Sequence, residues 1–376
     1  MRILLVMDQI DSENNGTTIS AKRFAEKLAQ HGNQVRAVST GEEKDGKYVV
    51  RELKIPFFNG LIHSQGMHLA IPDGDTLEQA IRWADVVHFL MPFALSVKGL
   101  KIARELGVPH TAAFHVQPEN VTFSIGLGNV KLANQALYRG FRDIFYNHFT
   151  HIHCPSQFIA DQLKKNGYTA QLHIISNGIA PEFHYRKLPK SPELAGKIVL
   201  LMVGRLSAEK RQDVFLNAVL KSKYADKIQV ILAGQGPKKK AIEELGLKLP
   251  HAPIIQFYEK SRLLDILAMS DLYVHAADVE IEAISCVEAF SSGLVPVIAN
   301  SSRSATPQFA LDARSLFEAG NSEDLARKID YWIEHEAQRR EMERRYSELG
   351  KRYQIDGCVS QIEEMFRQAI QEQREG

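Results

Sequence analysis

Residues 198–210 read IVLLMVGRLSAEK. The first six form an apolar run of strand length with no polar alternation, the pattern of a strand buried on both faces. Gly204 lets the chain turn, Arg205 and Lys210 bring two cations into the loop, and a helix is expected to open near Arg211. The same strand–turn–helix unit recurs outward from this stretch. Apolar runs at 229–233, 254–257, 272–275 and 295–299 continue it toward the C-terminus. Toward the N-terminus the runs are 3–7, 34–38, 85–90, 110–114, 151–154 and 172–175, with helical patterns at 18–31, 76–83 and 94–106. Alternation of this kind implies parallel sheets covered on both faces. The expected fold class is α/β, with two Rossmann-like, doubly wound domains facing across a cleft. Their expected bounds are 1–184 and 197–354, joined by a Lys- and Pro-rich linker at 185–196, with a helix at about 355–376 packing back on the first domain.

Composition narrows the function classes. A chain of 376 residues, 44% hydrophobic and 24% charged, with net charge +1, reads as a soluble globular protein, and the balanced charge argues against nucleic-acid binding. Cys154, Cys286 and Cys358 are widely spaced and form no CxxC pair, so reduced thiols in a cytoplasmic protein are expected. The opening MRILLVM lacks the features of a signal peptide, and no apolar run approaches the roughly 18–20 residues that span a bilayer. Only peripheral membrane contact, on the inner face, is left open. The charged helical stretch 325–373 reads as a solvated face.

Ligands of open parallel sheets bind beyond the carboxyl ends of the strands. Arg205 offers a planar fork of donors suited to phosphate oxygens, and Lys210 adds a point charge near a helix start. After the run 272–275 come Asp278 and Glu280, then Glu288 eight positions further, inside a helical pattern at 283–292 stopped by Gly293. A carboxylate there can accept hydrogen bonds from the vicinal hydroxyls of a ribose. Taken singly, the cations also read as an ordinary surface turn and the glutamates as surface carboxylates.

The ordered set Gly204-Arg205, Lys210, Glu280 and Glu288 resembles the GT-B glycosyltransferases of family 4, the retaining group that includes glycogen synthase and many mannosyltransferases. The likeness extends over essentially the whole chain. It includes Asn15-Gly16, Ser156-Gln157-Phe158, Asn177-Gly178-Ile179 with Phe183, Ala233-Gly234-Gln235-Gly236-Pro237, and the run Glu288 to Val297. The resemblance implies that Arg205 and Lys210 clamp a donor diphosphate, that Glu288 holds the ribose, and that Glu280 lies near the transferred sugar. It implies backbone approach at Gly16 and Gly204, donor-side contacts at Ile284 and Ser285, and a donor-sugar contact from His115, which ends the run 110–114. The candidates for catalysis are therefore His115, Glu280, Arg205 and Lys210. No protein nucleophile, metal or cofactor is implied, since the nucleotide sugar is a substrate.

Two departures stand out. Where the family usually carries a Gly-Phe-Gly-type loop after the first glutamate, this chain has Ile281, Glu282, Ala283, Ile284 and Ser285. The turn 300–306, with Arg303, replaces a Gly-rich acidic turn. The acceptor is expected on the first domain, over 117–149. Asn15, Gln117, Glu119 and Asn120 are the candidate contacts, and the aromatic stripe Tyr138, Phe141, Phe145 and Phe149 reads as core more readily than as membrane contact. His88, His110 and His275 read as structural. The expected activity is transfer of a hexose from a UDP- or GDP-linked α-sugar to a glycan or glycolipid acceptor, in cell-surface polysaccharide or glycolipid synthesis. A sugar-nucleotide epimerase, a non-catalytic sugar-nucleotide-binding or regulatory protein, and a membrane-docking scaffold are the rival readings.

Overall fold

In a computed structural model, which describes residues 1–11, 16–54, 68–124 and 130–375, Met1–Gly178 with Ile355–Gly376 form one unit and Ile179–Gln354 a second. Unit 1 carries seven parallel strands: β1 (Arg2–Gln9), β2 (Gln34–Thr40), β3 (Lys47–Val49), β4 (Val86–Phe89), β5 (His110–Ala113), β6 (His151–Cys154) and β7 (Gln171–Ile174). Their order is β3-β2-β1-β4-β5-β6-β7. In β1, Ile3, Leu5 and Met7 pack toward Phe24, Leu28, Val359, Ile362 and Phe366, from the helices Gly16–Gln30 and Ile355–Glu375. The alternate residues Leu4 and Val6 are also fully buried, on the opposite face, which is why the strand reads as an unbroken apolar run.

Unit 2 repeats the plan with six parallel strands: β8 (Ile198–Val203), β9 (Ile228–Ala233), β10 (Ile254–Gln256), β11 (Leu272–His275), β12 (Val295–Asn300) and β13 (Leu316–Glu318). The order is β10-β9-β8-β11-β12-β13. Both sheets reverse their winding beside the first strand of the unit: between β1 and β4 in unit 1, and between β8 and β11 in unit 2. Such reversal points are where open α/β sheets leave a crevice at the carboxyl edge.

The opposite, amino edge is pinned in the same way in both units. Asp85, just before β4, accepts the backbone N–H of Arg2 at 2.7 Å, and Asp271, just before β11, accepts that of Val199 at 2.7 Å. Each carboxylate satisfies an otherwise orphan donor at the start of the neighbouring strand. Each also takes a cation, Arg2 on Asp85 and Lys190 on Asp271.

Three expectations are refined. The segment 185–196 does not stand apart as a linker: it belongs to unit 2, where Leu194 joins the core and Leu188 packs against it. The aromatic stripe is core, with Tyr138, Phe145 and Phe149 all buried. The stretch 325–373 is three helices, not one solvated face, since the last of them buries Ile355, Val359, Ile362 and Phe366. The three cysteines are buried thiols.

Candidate active site

The carboxyl edge of unit 2, at the reversal point, is built from two interlocked loops. Gly204 leaves β8 with φ 152° and donates its N–H to Ala233 O at 3.0 Å, while Leu206 N–H reaches Gln235 O at 3.0 Å. The backbones pass so closely that a Cβ on Gly234 would lie 1.9 Å from Gly204 O. This explains the sequence Ala233-Gly234-Gln235-Gly236: the glycines admit the neighbouring strand's loop and fix where Arg205 begins. Arg205 is half-buried, and Gln212, itself buried, donates to its carbonyl at 2.8 Å.

Beyond Arg205 a short turn, Ala208–Lys210, delivers Lys210, and the helix Gln212–Lys221 follows. Lys210 Nζ donates to Glu280 Oε1 in a short ion pair. The same oxygen lies 3.3 Å from Nε2 of His275, the last residue of β11. Burial pushes the Glu280 carboxyl up, but Lys210 and His275 together outweigh it and hold the group at about 2. Glu280 is therefore a half-buried carboxylate at any ordinary pH.

The loop between β11 and the helix Ile284–Ser291 is anchored from both sides. Asp278 N–H donates to Glu209 O at 2.8 Å, and its carboxylate accepts from Arg211 at 3.1 Å, with Arg303 at 3.7 Å. Ala305 N–H donates to Glu280 O at 2.9 Å, so the 300–306 turn braces the glutamate backbone. The helix begins after Ala283, which has φ 62°. Along it, Ile284, Ser285 and Glu288 are half-buried, whereas Cys286, Val287, Ala289 and Phe290 are buried. Intervals of three and four place the half-buried set on one open face. Ser285 is fixed by the hydroxyl of Tyr273 at 3.1 Å.

The structure thus brings Lys210 and Glu280 into contact and sets Ile284, Ser285 and Glu288 on one helix face. Sequence reasoning missed Asp278 with Arg211 as the brace of the two loops, and it set His275 aside as structural. The available signal was spacing: His275 closes a strand five residues before Glu280.

In unit 1, Gly16 opens the helix Gly16–Gln30, and a Cβ there would meet nothing within 4 Å. Asn15 lies outside the described residues, as do Ile125 and Leu127 of the expected acceptor surface. His115 follows β5 and is buried against the ring of His153 at 5.4 Å, with burial pushing it down to about 3, so it is a neutral imidazole. Gln117 and Glu119 are buried as well, and Glu119 accepts from the Tyr138 hydroxyl at 3.1 Å. Asn120 is half-buried. His88 is held by Thr111 at 2.8 Å and His110 by the Val108 carbonyl at 2.9 Å.

Family comparison covers both units of the chain. The description Glycosyltransferase Family 4 matches residues 14–183, and Glycosyl transferases group 1 matches residues 185–352. The chain belongs to the family 4 glycosyltransferases. It is an enzyme of that kind with the GT-B architecture. It is 26% identical over 329 residues to the alpha-monoglucosyldiacylglycerol synthase of Streptococcus pneumoniae, covering 80% of this chain and 71% of that relative. It is 27% identical over 309 residues to a GDP-mannose-dependent alpha-mannosyltransferase of Corynebacterium glutamicum, covering 79% of this chain and 72% of the relative. Among solved structures, HepE of Anabaena in complex with UDP and glucose is similar in fold, with a TM-score of 0.74 at 16% identity, covering 98% of this chain and 100% of that one.

Proposed function

We propose that this glycosyltransferase moves a hexose from a UDP- or GDP-linked α-sugar to a glycan or lipid acceptor with retention of configuration, without a metal, in the synthesis of a cell-surface polysaccharide or glycolipid. The observation that carries the reading is the contact of Lys210 with Glu280 at the β8/β11 reversal, with Arg205 one residue past Gly204 and Glu288 on the open helix face. Arg205 and Lys210 neutralise the diphosphate and the charge it gains on leaving, which is the main electrostatic demand of the step. Glu288 accepts from the ribose hydroxyls, and Glu280 from the hydroxyls of the transferred sugar. Ile284 and Ser285 line the same face. We assign His115, as a neutral hydrogen-bonding group, to the donor sugar, Gly16 to the phosphates, and Asn15, Gln117, Glu119 and Asn120 to the acceptor side. The names of the two bacterial relatives, one an alpha-monoglucosyldiacylglycerol synthase and the other a GDP-mannose-dependent alpha-mannosyltransferase, support this range of donors and acceptors.

The test is calorimetric titration with UDP, GDP and ADP in the presence of EDTA. One nucleotide is expected to bind, and Glu288→Ala is expected to weaken it about 10- to 100-fold, the worth of hydrogen bonds to a charged acceptor. Unchanged affinity in Glu288→Ala would remove the ribose assignment, and binding abolished by EDTA would remove metal independence.

We further assign peripheral membrane contact, on the cytoplasmic face, to the helix Lys131–Ile144. Val130, Leu132 and Ile144 are 43%, 77% and 64% exposed there, with Lys131 and Arg139 exposed on the same helix. No helix among the described residues is long and apolar enough to cross a membrane. Co-sedimentation with anionic vesicles is expected for the wild type and reduced in Leu132→Glu; equal sedimentation of the two would refute the assignment.

A further inference from the structure

The buried histidines of this chain mostly have committed partners. His88 is bonded to Thr111, His153 to the Ile175 carbonyl at 2.6 Å, and His151 to Glu372 at 2.9 Å. His275 differs. It is 1% exposed on its side chain, and neither ring nitrogen has an aligned hydrogen-bond partner. A buried polar edge left in that state is costly, and an apolar ring would fill the space at less expense. The polar atom its Nε2 faces is Glu280 Oε1, the oxygen that Lys210 also holds. The other titratable groups that face Glu280 are Tyr273 of the His275 strand, whose ring stacks on His275 at 6.1 Å, and Cys286 of the following helix, and burial together with the Glu280 charge raises both.

One oxygen therefore faces two donors, of which only Lys210 is engaged. Lys210 is also the cation that the reading of this site assigns to the donor diphosphate, and the inference rests on that reading. We propose that His275 is a positioning residue that takes over Glu280 Oε1, through Nε2–H, when the donor diphosphate draws Lys210 away. Glu280 then remains an oriented carboxylate for the sugar hydroxyls, instead of a half-buried charge that has lost its counter-ion. Such a loss would be severe at this depth, because an unpaired buried carboxylate either takes up a proton or moves toward water. The imperfect alignment seen here follows: while Lys210 occupies Oε1, the imidazole stands 3.3 Å from that oxygen without the geometry of a full hydrogen bond.

The hand-over is tested on the full chain without any donor by long-range 1H–15N spectra of 15N-histidine-labelled protein. His275 is expected to carry its proton on Nε2, and that resonance is expected to move in Lys210→Ala, where Oε1 is released. A bare Nε2, or no response to Lys210→Ala, overturns the proposal whether or not the site binds nucleotides. Kinetics supply the second arm. His275→Leu is expected to lower kcat at least about tenfold with the donor KM changed less than about threefold, the signature of a group needed after donor binding. Its acid limb is expected to move to higher pH, since Glu280 has lost its second partner. His275→Gln, which restores a donor near the Nε2 position, is expected to recover most of the rate. Wild-type kcat and pH profile in His275→Leu refute the proposal, as does His275→Gln failing as badly as His275→Leu while both still bind nucleotide. Should His275→Leu not fold, the spectra and His275→Gln decide. Absence of nucleotide binding in the wild type would count against the donor-site reading, and the spectra would still report on His275.

Discussion

Lowering the pH should unfold unit 1 through its histidines. His88, His115 and His153 line a small cavity of about 10 Å³, room for about one water, between the sheet and the helices Gly16–Gln30 and Ile355–Glu375. Phe24, Leu28, Ile362 and Phe366 complete its wall. Burial holds His115 at about 3 and His153 at about 4, against 6.5 for a free imidazole, and depresses His88 well below that value. A histidine kept neutral in the fold contributes stability that is fully present above pH 6.5 and is lost as pH falls toward the folded value, because only the unfolded chain takes up the proton. From pH 6.5 to 5, His115 and His153 each lose about 1.6 kcal/mol. Asp8 has the opposite sign. Burial outweighs its bond from Ala70 N–H and raises it to about 6, so the folded state keeps that proton better and gains about 1 kcal/mol over the same interval. His115 and His153 less Asp8 give a loss of about 2 kcal/mol, and His88, depressed by burial in the same direction, adds to it. The chain has two tryptophans, Trp83 in unit 1 and Trp332 in unit 2, so each unit can be followed alone. Urea unfolding of Trp332→Phe, read by Trp83 fluorescence at pH 6.5 and 5.0, should show the loss, and His153→Gln should lower the pH slope by about 1.4 kcal/mol per unit. A unit 1 stability that changes by less than about 1 kcal/mol across this interval would refute the reasoning.

Two further expectations concern unit 2. Lys210→Ala should lower turnover by about 100- to 1,000-fold, the worth of one preorganised charge on a leaving group, and wild-type turnover would exclude Lys210 from the clamp. Ala283→Gly should raise the unfolding free energy by about 0.5–1 kcal/mol, because the left-handed backbone at φ 62° costs alanine more than the extra unfolded-state freedom costs glycine; a destabilised variant in urea melts would show that the methyl group matters more than the strain.

The α/β alternation was legible because fully buried parallel strands write themselves as unbroken apolar runs, and those at 151–154, 198–203 and 272–275 coincide with β6, β8 and β11. Among the three-residue edge strands, β10 shows as the apolar run 254–257, but β3 and β13 do not, since Lys47–Val49 and Leu316–Glu318 each carry a charged residue and too short a run to show a period. Boundaries slipped where backbone hydrogen bonds outlast hydrophobicity, as in β1, which continues through Asp8 and Gln9. In the site, residue types adjacent in sequence to glycines were readable. The pairing of Lys210 with Glu280 joins residues seventy positions apart and depends on the order of β8 and β11, which no local pattern encodes. Asp278 was overlooked for the same reason, since its partner Arg211 comes from the other loop.

Strain points to the same place as charge. Among the described residues, the non-glycine positions with positive φ are Arg211, at 55°, and Ala283, at 62°. One directly follows Lys210, and the other directly precedes the helix that carries Ile284, Ser285 and Glu288. Each conformation costs roughly 1–2 kcal/mol in a residue with a Cβ, and each survives only where its surroundings impose it. For Arg211 those surroundings are visible, since Asp213 and Asp278 grip its guanidinium from two sides. The Asp278 bond fastens the cation-bearing loop to the carboxylate-bearing loop at the one edge where the two meet. Relaxing Arg211 would therefore shift Lys210 relative to Glu280, which makes the strained turn a condition of the ion pair and not a by-product of the fold. Ala283 serves the second loop in the same manner: its turn starts the helix in the register that sets residues 284, 285 and 288 on the open face. Local conformational preference is overridden at two positions, both at the carboxyl edge of the β8/β11 reversal, while the amino edge is pinned by the Asp271 carboxylate. A fold with strain at one end of a sheet and none of this kind at the other has been shaped around what binds at the strained end.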